Sequence, residues 1–256
     1  MSRVIAIGSG KGGVGKTFTA SNLAVGLTRQ GKKVALLDMD MGLRNIDVTL
    51  GLETSVINHL GDYFSEGLPW EECVTEDERY PGLSLFAAAQ MPRIEDITEE
   101  KLRTLLDALR EVFDLILIDC PAGIGPYFRM TIRCADESIV VTDPVVASVR
   151  DADKVLHLME EAGIQRRFIL VNRLRYTLLK RTVMMTPEDI SEVLGAELVG
   201  VIPDDEAAIV ACNEGRPLIG QASKAGKALE RIAMRVGGMA APLPPLKKSR
   251  GGLFHR

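Results

Sequence analysis

Residues 8–22 read GSGKGGVGKTFTASN, with two lysines bracketing a glycine run. An apolar run, VIAIG (Val4–Gly8), leads into the stretch, and a helical pattern over Lys16–Arg29 leads out of it. Within it, Gly10 to Thr17 fits G-x-x-x-x-G-K-[ST], the phosphate-loop pattern, in the strand–loop–helix setting that pattern needs. Glycines let the backbone turn sharply, so successive N–H groups point inward at phosphate oxygens. The helix opening at Lys16 adds its positive N-terminal end. Lys16 is then the residue that reaches the β- and γ-phosphates, and the Thr17 hydroxyl a ligand for Mg²⁺. The candidate cradle comprises Gly10, Lys11, Gly12, Gly13, Val14, Gly15, Lys16, Thr17 and Phe18. It carries one lysine more than a phosphate needs. A cation beside Lys16 is repelled unless a highly charged triphosphate lies between them. Lys11 therefore either contacts phosphate, from its own chain or from a partner, or is solvated.

Further along the chain, VALLD (Val34–Asp38), LILID (Leu115–Asp119), SIVVT (Ser138–Thr142), FILVN (Phe168–Asn172) and LVGVI (Leu198–Ile202) repeat the short apolar run, with LSLFAA (Leu83–Ala88) a weaker member. Runs without polar alternation are what strands buried on both faces look like. Helical patterns over Thr98–Val112, Ser148–Glu161, Thr186–Leu194 and Ala225–Val236 lie between or after them. The alternation predicts a doubly wound, mostly parallel α/β sheet with helices on both faces, and a ligand at the C-terminal strand ends. Acidic residues stand at those ends. Asp119 closes LILIDCPAG and fits the Mg²⁺-holding carboxylate of a phosphoryl-transfer site; Asp38 and Asp40 close VALLDMDMG. The guanine-reading pattern N-K-x-D is missing, which favours ATP over GTP. Asn172, with Arg173 after it, and Pro203-Asp204-Asp205 end the next strands and are candidate adenine contacts.

The 256 residues suit one large domain, with 46% hydrophobic and 5% aromatic residues giving an aliphatic core. Net charge is −4, but four of the 31 basic residues fall in the last ten positions, leaving 27 bases against 35 acids, −8, for residues 1–246. An acidic body argues against a nucleic-acid-coating protein. Four widely spaced cysteines form no C-x-x-C pair, so zinc or iron–sulfur ligation has no support and reduced cytosolic thiols are expected. No apolar run approaches a membrane span. The chain divides into a nucleotide-binding domain over residues 1–238, a proline-containing tether at 239–246 and a short basic tail at 247–256. That tail sets Lys247, Lys248 and Arg250 beside Leu253 and Phe254. Burying the two apolar side chains contributes roughly 1.5–3 kcal/mol each and each base about 1 kcal/mol near anionic lipid. Ordering the segment costs roughly 1–2 kcal/mol per residue, and Gly251-Gly252 raise that cost. One tail is near zero net binding; two tails held together gain about 10²–10⁴ in avidity.

The opening lysine in KGGVGKT resembles the deviant Walker-A ATPases, which include partition ATPases, nitrogenase iron protein and MinD. LLDMDMGLRNIDVTLGLE (residues 36–53), IDCPAGI (118–124), DPVVASVRDADKV (143–155), LVGVIPDDEAAIVACNEGRPL (198–218) and the basic tail together resemble the MinD family of division-site ATPases. The resemblance implies that Lys11 reaches across a nucleotide-sandwich homodimer to the other subunit's phosphates. It also implies that Asp40 orients or deprotonates the attacking water, Asp38 supports the metal shell and the Gly123 amide senses the γ-phosphate. The helix matching Ser148–Glu161 would receive a MinC-like division inhibitor and a MinE-like activator, with Asp151 and Asp153 as contact candidates; a solvated acidic edge accounts for the pair equally. Arg44 and Arg150 are the nearest candidates for a charge-stabilising arginine. The tail would act as a conditional anchor, so that the protein is cytoplasmic and becomes peripheral on the inner face of the cell membrane when ATP is bound. Val145 stands where relatives commonly carry an acid, and Phe18 where a second threonine is usual.

Two other functions fit parts of the pattern. A flagellar-number regulator of the same group often carries an extension before its first strand. A monomeric small-molecule kinase needs neither Lys11 nor the tail.

Overall fold

The apolar runs pair edge to edge into one eight-stranded sheet with the order β3-β4-β2-β5-β1-β6-β7-β8. The computed structural model describes residues 2–91, 93–181 and 183–243. Its strands are β1 (Arg3–Gly8), β2 (Val34–Asp38), β3 (Thr75–Glu76), β4 (Leu83–Phe86), β5 (Leu115–Asp119), β6 (Glu137–Thr142), β7 (Arg166–Leu174) and β8 (Glu197–Pro203). All pairings are parallel except that of β3 with β4. The two-residue β3, which no apolar run announces, caps that edge.

Alternate residues of each strand enter opposite cores, which is why the runs show no polar alternation. Val4 and Ala6 join one cluster and Ile5 and Ile7 the other, all at most 1% exposed. Over the first face lie α3 (Glu99–Arg110), α4 (Pro126–Ile132), α5 (Val146–Glu161) and α7 (Pro187–Leu194); over the second lie α1 (Lys16–Thr28), α2 (Ile46–Leu50), α8 (Glu206–Asn213) and α9 (Lys224–Val236). The five-residue α6 (Tyr176–Lys180) comes after β7. Local chemistry sets the helix ends. Thr98 accepts a hydrogen bond from the Lys101 amide to open α3. Thr186 and Asp189 form a reciprocal capping box before Pro187, with Gly195 closing α7 in the left-handed conformation. Ser223 caps α9.

The doubly wound class is as expected. β1 lies between β5 and β6, and the chain winds outward on both sides of it, so the crevice at its C-terminal end is the topological switch point. All four cysteines are free, and burial pushes the Cys120 thiol up to about 12. No described helix is long and apolar enough to cross a membrane. From the last turn of α9, Arg235 Nε donates to the Ala241 carbonyl at 2.7 Å, and the Met239 amide donates back to the Met234 carbonyl at 2.8 Å. The first part of the expected tether thus lies along the body. Residues 244–256, with the membrane candidates Lys247, Lys248, Arg250, Leu253 and Phe254, lie outside the described residues.

Candidate functional site

Strand register brings the acidic ends together. Asp38 of β2 pairs directly with Asp119 of β5, and Asp119 pairs with Ile7 of β1, one residue before the loop. The loop then turns through Gly13 (φ 79°) and Gly15 (φ 94°) into α1, conformations that favour glycine. A Cβ on Gly12, Gly13 or Gly123 would meet no atom within 4 Å, so these stretches of backbone face open space. Gly10 is the opposite case: a Cβ there would stand 2.4 Å from the backbone carbon and oxygen of Asp151, because the loop rests directly on α5.

The two loop lysines part company. Lys16 is 7% exposed; its Nζ lies 2.8 Å from Asp119 Oδ1 and 3.6 Å from Asp40 Oδ2. Thr17 Oγ1 donates to the other Asp119 oxygen at 2.7 Å. Burial alone lowers the Lys16 pKa, but Asp119 and Asp40 outweigh it and leave the ammonium held more firmly than usual. Burial raises Asp119, and Lys16 and Thr17 pull it back only in part. Asp38 is pushed up to about 7, first by burial and then by the charge of Asp119, although the amides of Asp40, Asn45 and Ile46 all donate to it. Lys11, in contrast, is exposed at the mouth of the loop. The charge that its ammonium lends reaches Asp143 at the end of β6.

Several sequence candidates turn out to hold the scaffold. Asn172 is 4% exposed, and its Nδ2 donates to the Val14 carbonyl at 2.7 Å, bracing the loop from behind. Asp205 accepts from the Ala207 and Ala225 amides at 3.1 and 3.0 Å, tying α8 to α9, and those bonds hold its carboxyl below the usual range. Asp204 pairs with Arg175 at 2.6 Å, and Pro203 is buried at the end of β8. Arg44, in the left-handed region at φ 46°, turns inward to Asp47 at 2.6 Å. Asp151 sets its backbone and Cβ against Gly10 and its carboxylate beside Lys154 at 3.1 Å, while Asp153 lies beside His157 at 3.7 Å. Arg150 and Val145 are exposed near the start of that helix, and Phe18 packs partly buried against the second core.

Asp143 is a member of the site that sequence reading misses. Its Oδ1 is buried without a hydrogen-bond partner, Arg173 lies 4.0 Å from its other oxygen, and burial raises its pKa against the pull of Arg173 and Lys11. An acid ending a strand in TDPVV is the available signal. Among the described residues no group of three or more His, Cys, Asp or Glu side chains is disposed to hold a metal alone. Mg²⁺ characteristically takes one or two carboxylates and completes its shell with phosphates and water, and Thr17 with Asp119 and Asp38 offers that kind of hard-oxygen partial shell.

Known proteins share both the sequence and the fold. Residues 2–170 match the family described as an AAA domain. The septum site-determining protein MinD of Synechocystis sp. is 40% identical over 258 residues, covering all of this chain and 97% of the relative. The chain belongs to the MinD family. Family membership places it among the cell-division ATPases. The MinC:MinD cell division protein complex of Aquifex aeolicus superposes with a TM-score of 0.88 at 35% identity, covering 95% of this chain and 99% of that one. MinD of Pyrococcus horikoshii, solved with Mg-ADP, gives a TM-score of 0.83 at 29% identity over 92% and 96% of the two chains. The MinD fold accounts for the eight-stranded sheet and for the loop at its switch point.

Proposed function

We propose that this chain is an ATP-driven dimerising switch for division-site placement: paired by ATP, it holds a MinC-like inhibitor on the membrane and is released on hydrolysis stimulated by a MinE-like partner. The observation that carries the reading is the division between the two lysines, one buried among carboxylates and the other exposed at the loop's mouth. A monomeric kinase has use for the first only.

Bound Mg-ATP would supply the transferable phosphoryl group and the negative charge that a second lysine answers. Lys16, now held by Asp119 and Asp40, would hold the β- and γ-phosphate oxygens. Thr17 and Asp119 would hold Mg²⁺ through hard oxygen ligands, and Asp38, paired in register with Asp119, would support that shell. Asp40 would position the attacking water, and Gly123, in an open turn at φ 82°, would offer its amide to the γ-phosphate. Lys11 serves the partner copy, so pairing depends on the nucleotide. Positioning and charge stabilisation carry nearly all of such catalysis. The Mg-ADP bound by the Pyrococcus horikoshii relative and the MinC held by the Aquifex aeolicus relative support the cofactor and the inhibitor. Adenine contact by Asn172, Pro203, Asp204 and Asp205 is proposed through their backbone and neighbours, since Asn172 and Asp205 are engaged elsewhere.

Sedimentation with anionic liposomes tests the reading. The full chain should pellet with ATP and not with ADP, and a variant ending at Pro245 should stay in solution. Equal pelleting with ADP overturns the switch.

A further inference from the structure

At the end of the sheet opposite the phosphate loop, the first residues of β1, β6, β7 and β8 open into a cavity of about 1140 Å³. Ile5, Ile139, Phe168, Leu198 and Val199 give it an apolar floor, and α7 and residues 238–243 form walls. Its bases are already engaged. Arg3 and Arg166 both bind the buried Glu137, at 3.2 and 2.5 Å, while Arg235 donates to the carbonyls of Ala241 and Val199 at 2.7 and 3.1 Å. Its rim acids are not. Glu188 and Glu192, one turn apart on α7, are exposed and form no ion pair with any described residue. With Glu137, Glu188, Glu192 and Glu197 against Arg3, Arg166 and Arg235, the lining carries one net negative charge, and the unpaired Glu188 and Glu192 put it on the α7 side beside the apolar floor.

The described chain ends in this wall, at Leu243. The remaining residues are Pro244-Pro245-Leu246-Lys247-Lys248-Ser249-Arg250-Gly251-Gly252-Leu253-Phe254-His255-Arg256: four bases, no acid and three bulky apolar side chains. Thirteen residues span up to about 45 Å when extended, enough to return to the place they leave. Attachment at the wall holds the segment at a local concentration on the order of millimolar.

We propose that this cavity is a docking site for the chain's own residues 247–256. Leu253 and Phe254 lie on the floor beside Phe168, and the basic residues lie against Glu188 and Glu192. The consequence, which rests on the reading of the tail as a membrane contact, is competition: cavity and lipid bid for the same two apolar side chains. A docked tail raises the threshold that a paired molecule must overcome.

Trypsin cleavage of the full chain after Lys247, Lys248 or Arg250, monitored by mass spectrometry without lipid or nucleotide, tests the docking. Glu188→Gln with Glu192→Gln should speed cleavage about three- to tenfold, the effect of losing two exposed ion pairs. Leu253→Ser with Phe254→Ser should speed it as well. The charge-matched control Glu95→Gln with Glu111→Gln, at exposed positions away from the cavity, should leave the rate unchanged. Equal rates in wild type and both test variants overturn the proposal, as does an equal gain in the control. Failure here leaves the membrane reading standing. Loss of ATP-dependent pelleting with protection intact would overturn that reading and spare this one.

Discussion

Lys11→Ala separates the two lysine roles most cleanly. In one copy the Lys11 side chain is exposed and in no ion pair with a described residue, and the loop turn beside it is held by Ser9 Oγ donating to the Lys11 carbonyl at 3.2 Å, a bond that alanine keeps. Folding stability should therefore move by less than about 0.5 kcal/mol, or about 1–2 °C in Tm for a chain of this size. Nucleotide affinity of the single copy should change little, because Lys16 carries the direct phosphate contact. Pairing is another matter. A charge-assisted hydrogen bond contributes about 1.5–3 kcal/mol, and two-fold symmetry uses each Lys11 once per copy. The pair loses about 3–6 kcal/mol, roughly 10²- to 10⁴-fold in dimer Kd. Sedimentation velocity with a non-hydrolysable ATP analogue reads that loss, alongside calorimetric nucleotide binding and a thermal melt. A dimer Kd within threefold of wild type would refute the reasoning, and a collapsed Tm would mean that Lys11 supports the fold instead.

Asn172→Ala removes the Nδ2 bond to Val14 and leaves a buried carbonyl unpaired. Thermal denaturation should show a loss of about 1–3 kcal/mol, and nucleotide affinity should fall with it. Gly10→Ala forces a methyl to within 2.4 Å of the Asp151 backbone and should cost about 1–3 kcal/mol, whereas Gly12→Ala, facing open space, should melt close to wild type. Because burial and Asp119 raise Asp38 from 3.8 to about 7, the folded protein binds this proton more tightly than the unfolded chain does. Stability without nucleotide should therefore be highest below about pH 4 for this group and fall by up to roughly 4 kcal/mol as pH rises to 7. Urea midpoints at pH 5 and 8 check the sign, and Asp38→Ala should flatten the difference.

What the sequence makes legible is local. The phosphate loop, its strand and its helix occupy one uninterrupted stretch, and Asp38 and Asp119 are marked by apolar runs that end on an acid. Each such feature is encoded within about fifteen neighbours. The bracing role of Asn172 is hidden because its partner Val14 is 158 residues away, and no spacing rule reveals which strand end faces which loop. Asp205 has the same explanation: its cap on α8 is readable, its bond to the start of α9 is not. The short helices α2, α4, α6 and α8 span five to eight residues and lack the Thr186-to-Asp189 capping box that marks the equally short α7. Asp143 needs the fold to show an oxygen buried without a partner. Composition marks the tether by its prolines, and says nothing of the hydrogen bonds that Arg235 and Met239 make along it.

The seat of Gly10 on α5 has a mechanical meaning. Where a side chain separates two backbones, rotamer hops absorb small displacements; here peptide meets peptide, and the joint has no slack. A displacement of the loop at Gly10 would have to move the Asp151 backbone with it. A partner bound along α5 would then sense the position of the loop through that backbone contact.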